Sequence, residues 1–221
     1  MSRLGYAVAN VGERDLVTGY DDFKKRTAAA SFPFVSANLV RSDTREPVFT
    51  PFTVVTVPAS GDRKALRVAV TGVVRFNPVF LKAGPDGTNI SIVKADEALA
   101  RVVPEMRAQA DLVVVLAALH KDDARSIAGA VPGIDFVLGA YGGIISAQDE
   151  AEKGVPLRYA GNQGKYVGES RVFLGPDGKI STVSNYMHYL LARYPDDPGM
   201  AEWLTGTRAR IEEQRRASLP K

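Results

Sequence analysis

Asp111-Leu112-Val113-Val114-Val115-Leu116-Ala117-Ala118-Leu119 decides the fold. An unbroken apolar run of this kind, rich in β-branched residues, is what a strand looks like when both faces of its sheet are covered. A helical pattern from Lys121 to Val131 follows, with Asp122 and Asp123 suited to the positive end of a helix. Phe136-Val137-Leu138-Gly139 is a second strand of the same type. Strand, short crossover helix and strand imply parallel neighbours joined in the right-handed sense. The fold class is therefore α/β, a layered domain.

Working outward, Phe52 to Val57 and Leu66 to Val74 are β-rich and flank the turn signal Gly61-Asp62, which predicts a hairpin. Lys94 to Ala110 reads as a helix that Pro104 should kink or split, since proline removes a backbone donor. Between them, Asn77 to Ser91 has two glycines, two prolines and no period, and reads as a loop. Nearer the N-terminus, Tyr6 to Val11 predicts a short strand, Thr18 to Ala30 a helix and Phe32 to Leu39 a strand. Downstream, Pro156 to Ala160, Ser170 to Leu174 and Lys179 to Tyr186 read as strands of an antiparallel half, the last two joined by the turn Gly175-Pro176-Asp177-Gly178. Asp197 and Pro198 form an N-cap and N1 pair for a helix to about Arg216.

A chain of 221 residues, 45% hydrophobic, can bury a substantial core, and one domain over 1–221 is expected. The formal net charge of +3 is too small to imply a nucleic-acid partner. The basic cluster Arg208, Arg210, Arg215 and Arg216 is interleaved with Glu212 and Glu213, as on a solvated helix face. With no cysteine, disulfides, thiolate metal sites and cysteine nucleophiles are excluded. No apolar run approaches the ~20 residues of a membrane span, and Met1 to Asn10 lacks the apolar core of a signal peptide.

Several stretches, in order, resemble one family. Leu4-Gly5-Tyr6-Ala7-Val8-Ala9-Asn10-Val11-Gly12-Glu13-Arg14-Asp15 is similar to a segment ending in Gly-Asn-His-Glu, and Phe32-Pro33-Phe34-Val35-Ser36-Ala37-Asn38-Leu39 to a Phe-Pro-(apolar)-Leu-Ser-Ala-Asn strand. Ala110-Asp111-Leu112-Val113-Val114-Val115-Leu116-Ala117-Ala118-Leu119 is similar to the strand ending in Leu-Ser-His-Leu-Gly, and Val131-Pro132-Gly133-Ile134-Asp135-Phe136-Val137-Leu138-Gly139-Ala140-Tyr141-Gly142-Gly143 to the strand and loop ending in Gly-Gly-His-Ser-His. Gly161-Asn162-Gln163-Gly164-Lys165-Tyr166-Val167-Gly168 resembles the stretch that begins the later strands. The family is the calcineurin-like metallophosphoesterase superfamily, in particular the N-terminal metallophosphatase domain of 5′-nucleotidases and 2′,3′-cyclic phosphodiesterases. The resemblance implies a layered β-sandwich flanked by helices, here expected to lack its first strands, and a location in the periplasm or outside the cell.

In that family two metal ions, held by aspartates, an asparagine and histidines, activate water and clamp the phosphate. By resemblance, Glu13 stands at the bridging asparagine, Arg14 at the catalytic histidine and Asp15 at the glutamate. Ala118, Tyr141 and Gly143 stand at metal-ligating histidines, so no complete ligand set is expected. Only two histidines exist in the whole chain, too few for the nitrogen ligands such a site uses. Arg14, if it points into the site, would oppose a divalent ion about 4 Å away by roughly 8 kcal/mol at an effective dielectric of about 20; it could instead fix an anion or pair with Asp15.

Five residues are cleft candidates. A shifted register could bring His120 to the site, or it is a loop histidine; Tyr141 could stack on a base, bond a phosphate or fill a vacated metal cavity. Gly142 and Gly143 permit close backbone approach, and Asn38 either faces the cleft or satisfies backbone at a strand end. His188, between Met187 and Tyr189, reads as packed or at the surface. The resulting expectation is a catalytically inactive domain that binds a small anionic or nucleotide ligand, or another protein chain, without a cofactor. Two alternatives stand beside it: a metal-dependent phosphoric ester hydrolase using Glu13, Asp15 and His120 with a divalent pair (Mn, Zn or similar) completed from outside this chain, and a structural subunit pairing through an exposed sheet edge.

Overall fold

The computed structural model describes residues 1–61, 64–77, 89–141 and 150–217. Contacts gather into two compact units, Met1–His188 and Tyr189–Lys221. The first begins with β1 (Ala9–Asn10), α1 (Tyr20–Thr27), β2 (Phe34–Val35), β3 (Leu39–Arg41), β4 (Phe52–Val57), β5 (Leu66–Val74) and β6 (Ile90–Ile92). It continues with α2 (Ala95–Gln109), β7 (Leu112–Ala118), α3 (Lys121–Ala130), β8 (Phe136–Gly139), β9 (Glu150–Glu152), β10 (Val155–Tyr159), β11 (Tyr166–Leu174) and β12 (Ile180–Tyr189). The second unit holds α4 (Pro198–Ala217), where Asp197 Oδ1 accepts the Met200 N–H at 2.7 Å as an N-cap.

The central sheet runs β4-β5-β7-β8-β10-β9. β4 and β5 form the expected antiparallel hairpin, from Phe52 opposite Thr71 to Val57 opposite Leu66. β5, β7, β8 and β10 are parallel; α2 carries the chain back between β5 and β7 and α3 between β7 and β8, while β9 precedes β10 and pairs with it antiparallel. α2 buries Leu99, Val103 and Met106, and α3 buries Ala124, Ile127 and Ala128, both at helical spacing. These meet Val113, Val115 and Ala117, every second residue of β7, in the main core.

The intervening residues of β7 face the other way. Leu112 and Val114, with Phe136 and Leu138 of β8, border a groove against Gly168, Ser170 and Val172 of β11 and Ile180 of β12. The short parallel pair β1–β2 lies over β5 on this same side. Gly72 permits that approach: a Cβ there would lie 2.1 Å from Asn10 Oδ1 and 2.7 Å from the Val35 carbonyl. A smaller core of Val11, Leu16, Phe23, Leu39, Val74, Ile90 and Ile92 forms beneath α1. The result is a mixed α/β fold, a central sheet with four helices among the described residues.

Local departures from the sequence reading have visible causes. The strand expected over Phe32 to Leu39 is broken into β2 and β3, which belong to different sheets. At the break, the Ser36 N–H donates to Thr50 O and the Ala37 N–H to Gly72 O, so the backbone changes partner rather than continuing one ladder. Ile90–Ile92 is a strand paired with β3, not loop, and most of the remaining expected loop lies outside the described residues. Pro104 sits within a single helix, Ala95–Gln109, and does not split it. β10 is parallel to β8, so the antiparallel half is confined to β9–β10 and the β11–β12 hairpin.

Gly139 ends β8 beneath the ring of Tyr159, whose hydroxyl donates to Leu119 O at 3.2 Å. A Cβ on Gly139 would stand 2.1 Å from the Tyr159 ring. Gly139→Ala is therefore expected to cost about 3 kcal/mol by overpacking, read as a lower urea midpoint with an unchanged slope.

Candidate functional site

Because β5, β7 and β8 are parallel, their C-terminal ends open on one edge, which is where sheets of this kind place ligands. Arg75 is the first residue after β5, His120 the second after β7, and Tyr141 the second after β8. The turn Gly12-Glu13-Arg14-Asp15 arrives beside them from β1.

Arg75 joins them. Its Nε lies 3.0 Å from Glu13 Oε2, and its Nη1 lies 2.7 Å from His120 Nε2 and donates to Tyr141 Oη at 2.6 Å. A guanidinium offers no lone pair, so His120 Nε2 must accept and the imidazole carries its proton on Nδ1. The Tyr141 ring meets His120 edge-on at 4.3 Å and lies 4.8 Å from the guanidinium carbon, a cation–π contact. The Glu13 side chain is only 7% exposed, and a carboxylate so buried requires an opposite charge.

Glu13, Arg14, Asp15, Ala118, Ala140, Tyr141 and Asn162 line an open cleft of about 470 Å³. Arg75 instead lines a neighbouring cavity of about 290 Å³ with Lys94, Leu119 and Asp123, so the guanidinium and its partners stand between the two spaces. Asp15 is engaged locally: its Oδ2 accepts the Gly12 N–H at 2.7 Å and closes the turn.

Asn38 is wholly buried and directed at backbone. Its Nδ2 donates to Val74 O at 2.7 Å and Val93 O at 3.1 Å, while Oδ1 accepts the Val74 N–H at 2.9 Å. Asn10 plays a similar part, donating to Val73 O and Leu116 O, both at 2.9 Å, and so ties β1 to the central sheet. His188 is elsewhere, 2.8 Å from Glu169 Oε2 on the β11–β12 hairpin. Arg171 first, and then His188, hold the Glu169 carboxyl below the ordinary carboxylate range. Gly142 and Gly143 fall outside the described residues.

Sequence reading brought Glu13, Arg14, Asp15, Ala118, His120 and Tyr141 to attention, met Asn162 only as part of a motif without assigning it to the cleft, and missed Arg75. Arg75 did leave a signal: a charged residue directly after a nine-residue strand whose last six residues are buried, at the carboxyl end where sites form. Metal ions do not fit this arrangement. Glu13 and His120 are both bonded by a fixed cation, Ala118 has no donor, and among the described residues no group of three or more His, Cys, Asp or Glu is placed to hold an ion.

No family model matches the chain. It is 34% identical over 155 residues to a 2′,3′-cyclic-nucleotide 2′-phosphodiesterase/3′-nucleotidase of Yersinia enterocolitica, covering 62% of this chain and 23% of that protein. It is 28% identical over 206 residues to the protein of the same name from Salmonella typhimurium, covering 80% of this chain and 31% of that protein. The chain thus spans less than a third of these relatives. Among solved structures, the calcineurin-like phosphoesterase YfkN of Bacillus subtilis superposes with a TM-score of 0.78 at 18% identity, over 96% of this chain and 71% of that one. The 5′-nucleotidase precursor of Thermus thermophilus gives 0.77 at 21% identity, over 96% of this chain and 44% of that one. Its homologues and structural neighbours are calcineurin-like metallophosphoesterases of the 5′-nucleotidase and 2′,3′-cyclic phosphodiesterase types, and the chain covers part of them.

The burial of Asn38 sets an expectation for stability. Asn38→Ala would strand the Val74 N–H and the Val74 and Val93 carbonyls in the interior, at about 3 kcal/mol. Chemical denaturation is the check.

Proposed function

We propose that this 5′-nucleotidase-like metallophosphoesterase domain is not a hydrolase but a binding module, taking a small anionic or nucleotide ligand in the cleft bounded by Glu13, Arg14, Tyr141 and Asn162. The observation that carries this reading is the Arg75–Glu13 ion pair at 3.0 Å. Hydrolysis of this class needs cations that polarise the phosphate and sharpen a water. A guanidinium neutralises charge but releases no hydroxide nucleophile. Metal ligation by Glu13, Asp15 and His120 would first have to break the bonds they make to Arg75 and Gly12. The relatives named as nucleotide enzymes supply the ligand class, and an extracytoplasmic location is part of the same proposal.

The test uses the purified chain with p-nitrophenyl phosphate, adenosine monophosphates and 2′,3′-cyclic nucleotides, each with added manganese, zinc or cobalt. Turnover is expected to stay at the level of a protein-free blank, while adenosine monophosphate raises the melting temperature. Robust turnover that depends on the added metal would refute the proposal.

A further inference from the structure

We infer that α4 is a membrane-surface helix, which lays one apolar stripe, edged on both sides by arginine, onto an anionic lipid surface. The inference lies outside the cleft and uses none of its residues.

Spacing sets the stripe. At about 100° per residue, Met200, Trp203, Leu204, Thr207 and Ile211 of α4 fall within an arc of roughly 100°, the breadth of a helix face that packs against something apolar. Gln214 ends the same line in a polar group. Among the described residues that face has no full cover: α4 buries no residue, and Trp203, Leu204 and Ile211 are 46%, 41% and 50% exposed. Scattered singly, such side chains would mean little. Aligned on one helix, they mark a binding face.

The sequence interleaves the charges of α4, but the helix sorts them. Arg210 falls about 20° beyond the Trp203 edge of the stripe, and Arg215 and Arg208 fall about 20° and 40° beyond the Leu204 edge. Glu202, Glu212 and Glu213 lie at least about 80° outside either edge, on the opposite side with Arg216, which Glu212 meets at 3.9 Å. This sorting selects the occupant. Two copies of α4 joined stripe to stripe, parallel or antiparallel, would set arginine against arginine along both flanks, and like charges there oppose pairing. A surface of lipid phosphates meets both flanks with the opposite charge. The arginine stems can lie along the apolar boundary while their guanidinium groups reach the headgroups. An indole suits the same depth, with an apolar body and an N–H for the polar side. The helix lies on the surface and does not cross it, since no helix among the described residues is long and apolar enough to span a bilayer.

Trp203 is the only tryptophan of the chain, so its emission reports on the stripe alone. The experiment mixes the purified protein with vesicles of phosphatidylcholine, or of phosphatidylcholine and phosphatidylglycerol in equal parts. Binding is read by co-sedimentation and by quenching of Trp203 with lipids brominated along their acyl chains. The wild type is expected to partition at least about tenfold more tightly into the anionic vesicles, with a blue-shifted, quenched Trp203, and to lose that preference in high salt. Leu204→Glu/Ile211→Glu should abolish binding, and Arg208→Gln/Arg210→Gln should weaken it by about tenfold or more, whereas Arg216→Gln on the far face should change it by less than about twofold. Because α4 buries nothing, each variant should keep the wild-type urea midpoint, and the wild-type quenching stands whether or not a variant folds. Failure to bind, equal partition into both vesicles, an unquenched Trp203, or equal losses for Arg216→Gln and Arg208→Gln/Arg210→Gln would overturn the inference. So would a lipid-free blue shift that grows with protein concentration alongside a doubled mass by light scattering, which would give the stripe to a second copy. The hydrolysis assay reads the cleft separately, so neither result decides the other.

Discussion

A single guanidinium ties together the carboxyl-terminal edge of the parallel strands. Arg75 bonds Glu13, His120 and Tyr141, each delivered by a different strand end, and without a positive charge there the Glu13 carboxylate would sit buried and unpaired. Everything that positions Arg75 therefore positions the site. The parallel ladder of β5 with β7 aligns their ends, and α2 and α3 clamp the sheet from one face. On the other face Asn10 and Gly72 let β1 approach closely enough to bring in Glu13.

The central sheet was legible because its signals are strong and local. The continuous apolar run at Leu112–Ala118, the helix signal at Asp122 and Asp123, and the hairpin turn at Gly61 each follow from a periodicity or a turn chemistry that needs no tertiary knowledge. The pieces that misled are those whose structure is set by partners remote in sequence. Phe32 to Leu39 looks like one strand, yet its two halves answer to β1 and β6, and the break is fixed by Thr50 and Gly72. Ile90–Ile92 is only three residues long at the end of a Gly- and Pro-containing stretch, too short for a period to show, and its pairing with β3 makes it a strand.

The site divides in the same way. Glu13, Arg14, Ala118 and Tyr141 could be picked out because they replace recognisable chemistry within motifs, and such replacements are visible one residue at a time. His120 was ambiguous until the turn after β7 placed its ring against Tyr141. Asn38 stood in a motif and proved to be a clamp on the backbone of Val74 and Val93. Arg75 belongs to no motif. Its meaning is the geometry of its neighbours, and that comes only from the packing of four strand ends.

On the proposed reading, Arg75 supplies covalently the positive charge that metal-dependent hydrolysis of this class takes from bound ions. A tethered monovalent cation can orient an anion but cannot lower the acidity of a bound water as a metal does. Anomalous diffraction from crystals of the wild-type protein grown in excess manganese chloride tests this most directly. The account predicts guanidinium density between Glu13, His120 and Tyr141 and no anomalous peak there; a strong peak at that point, with Arg75 swung away, would contradict it.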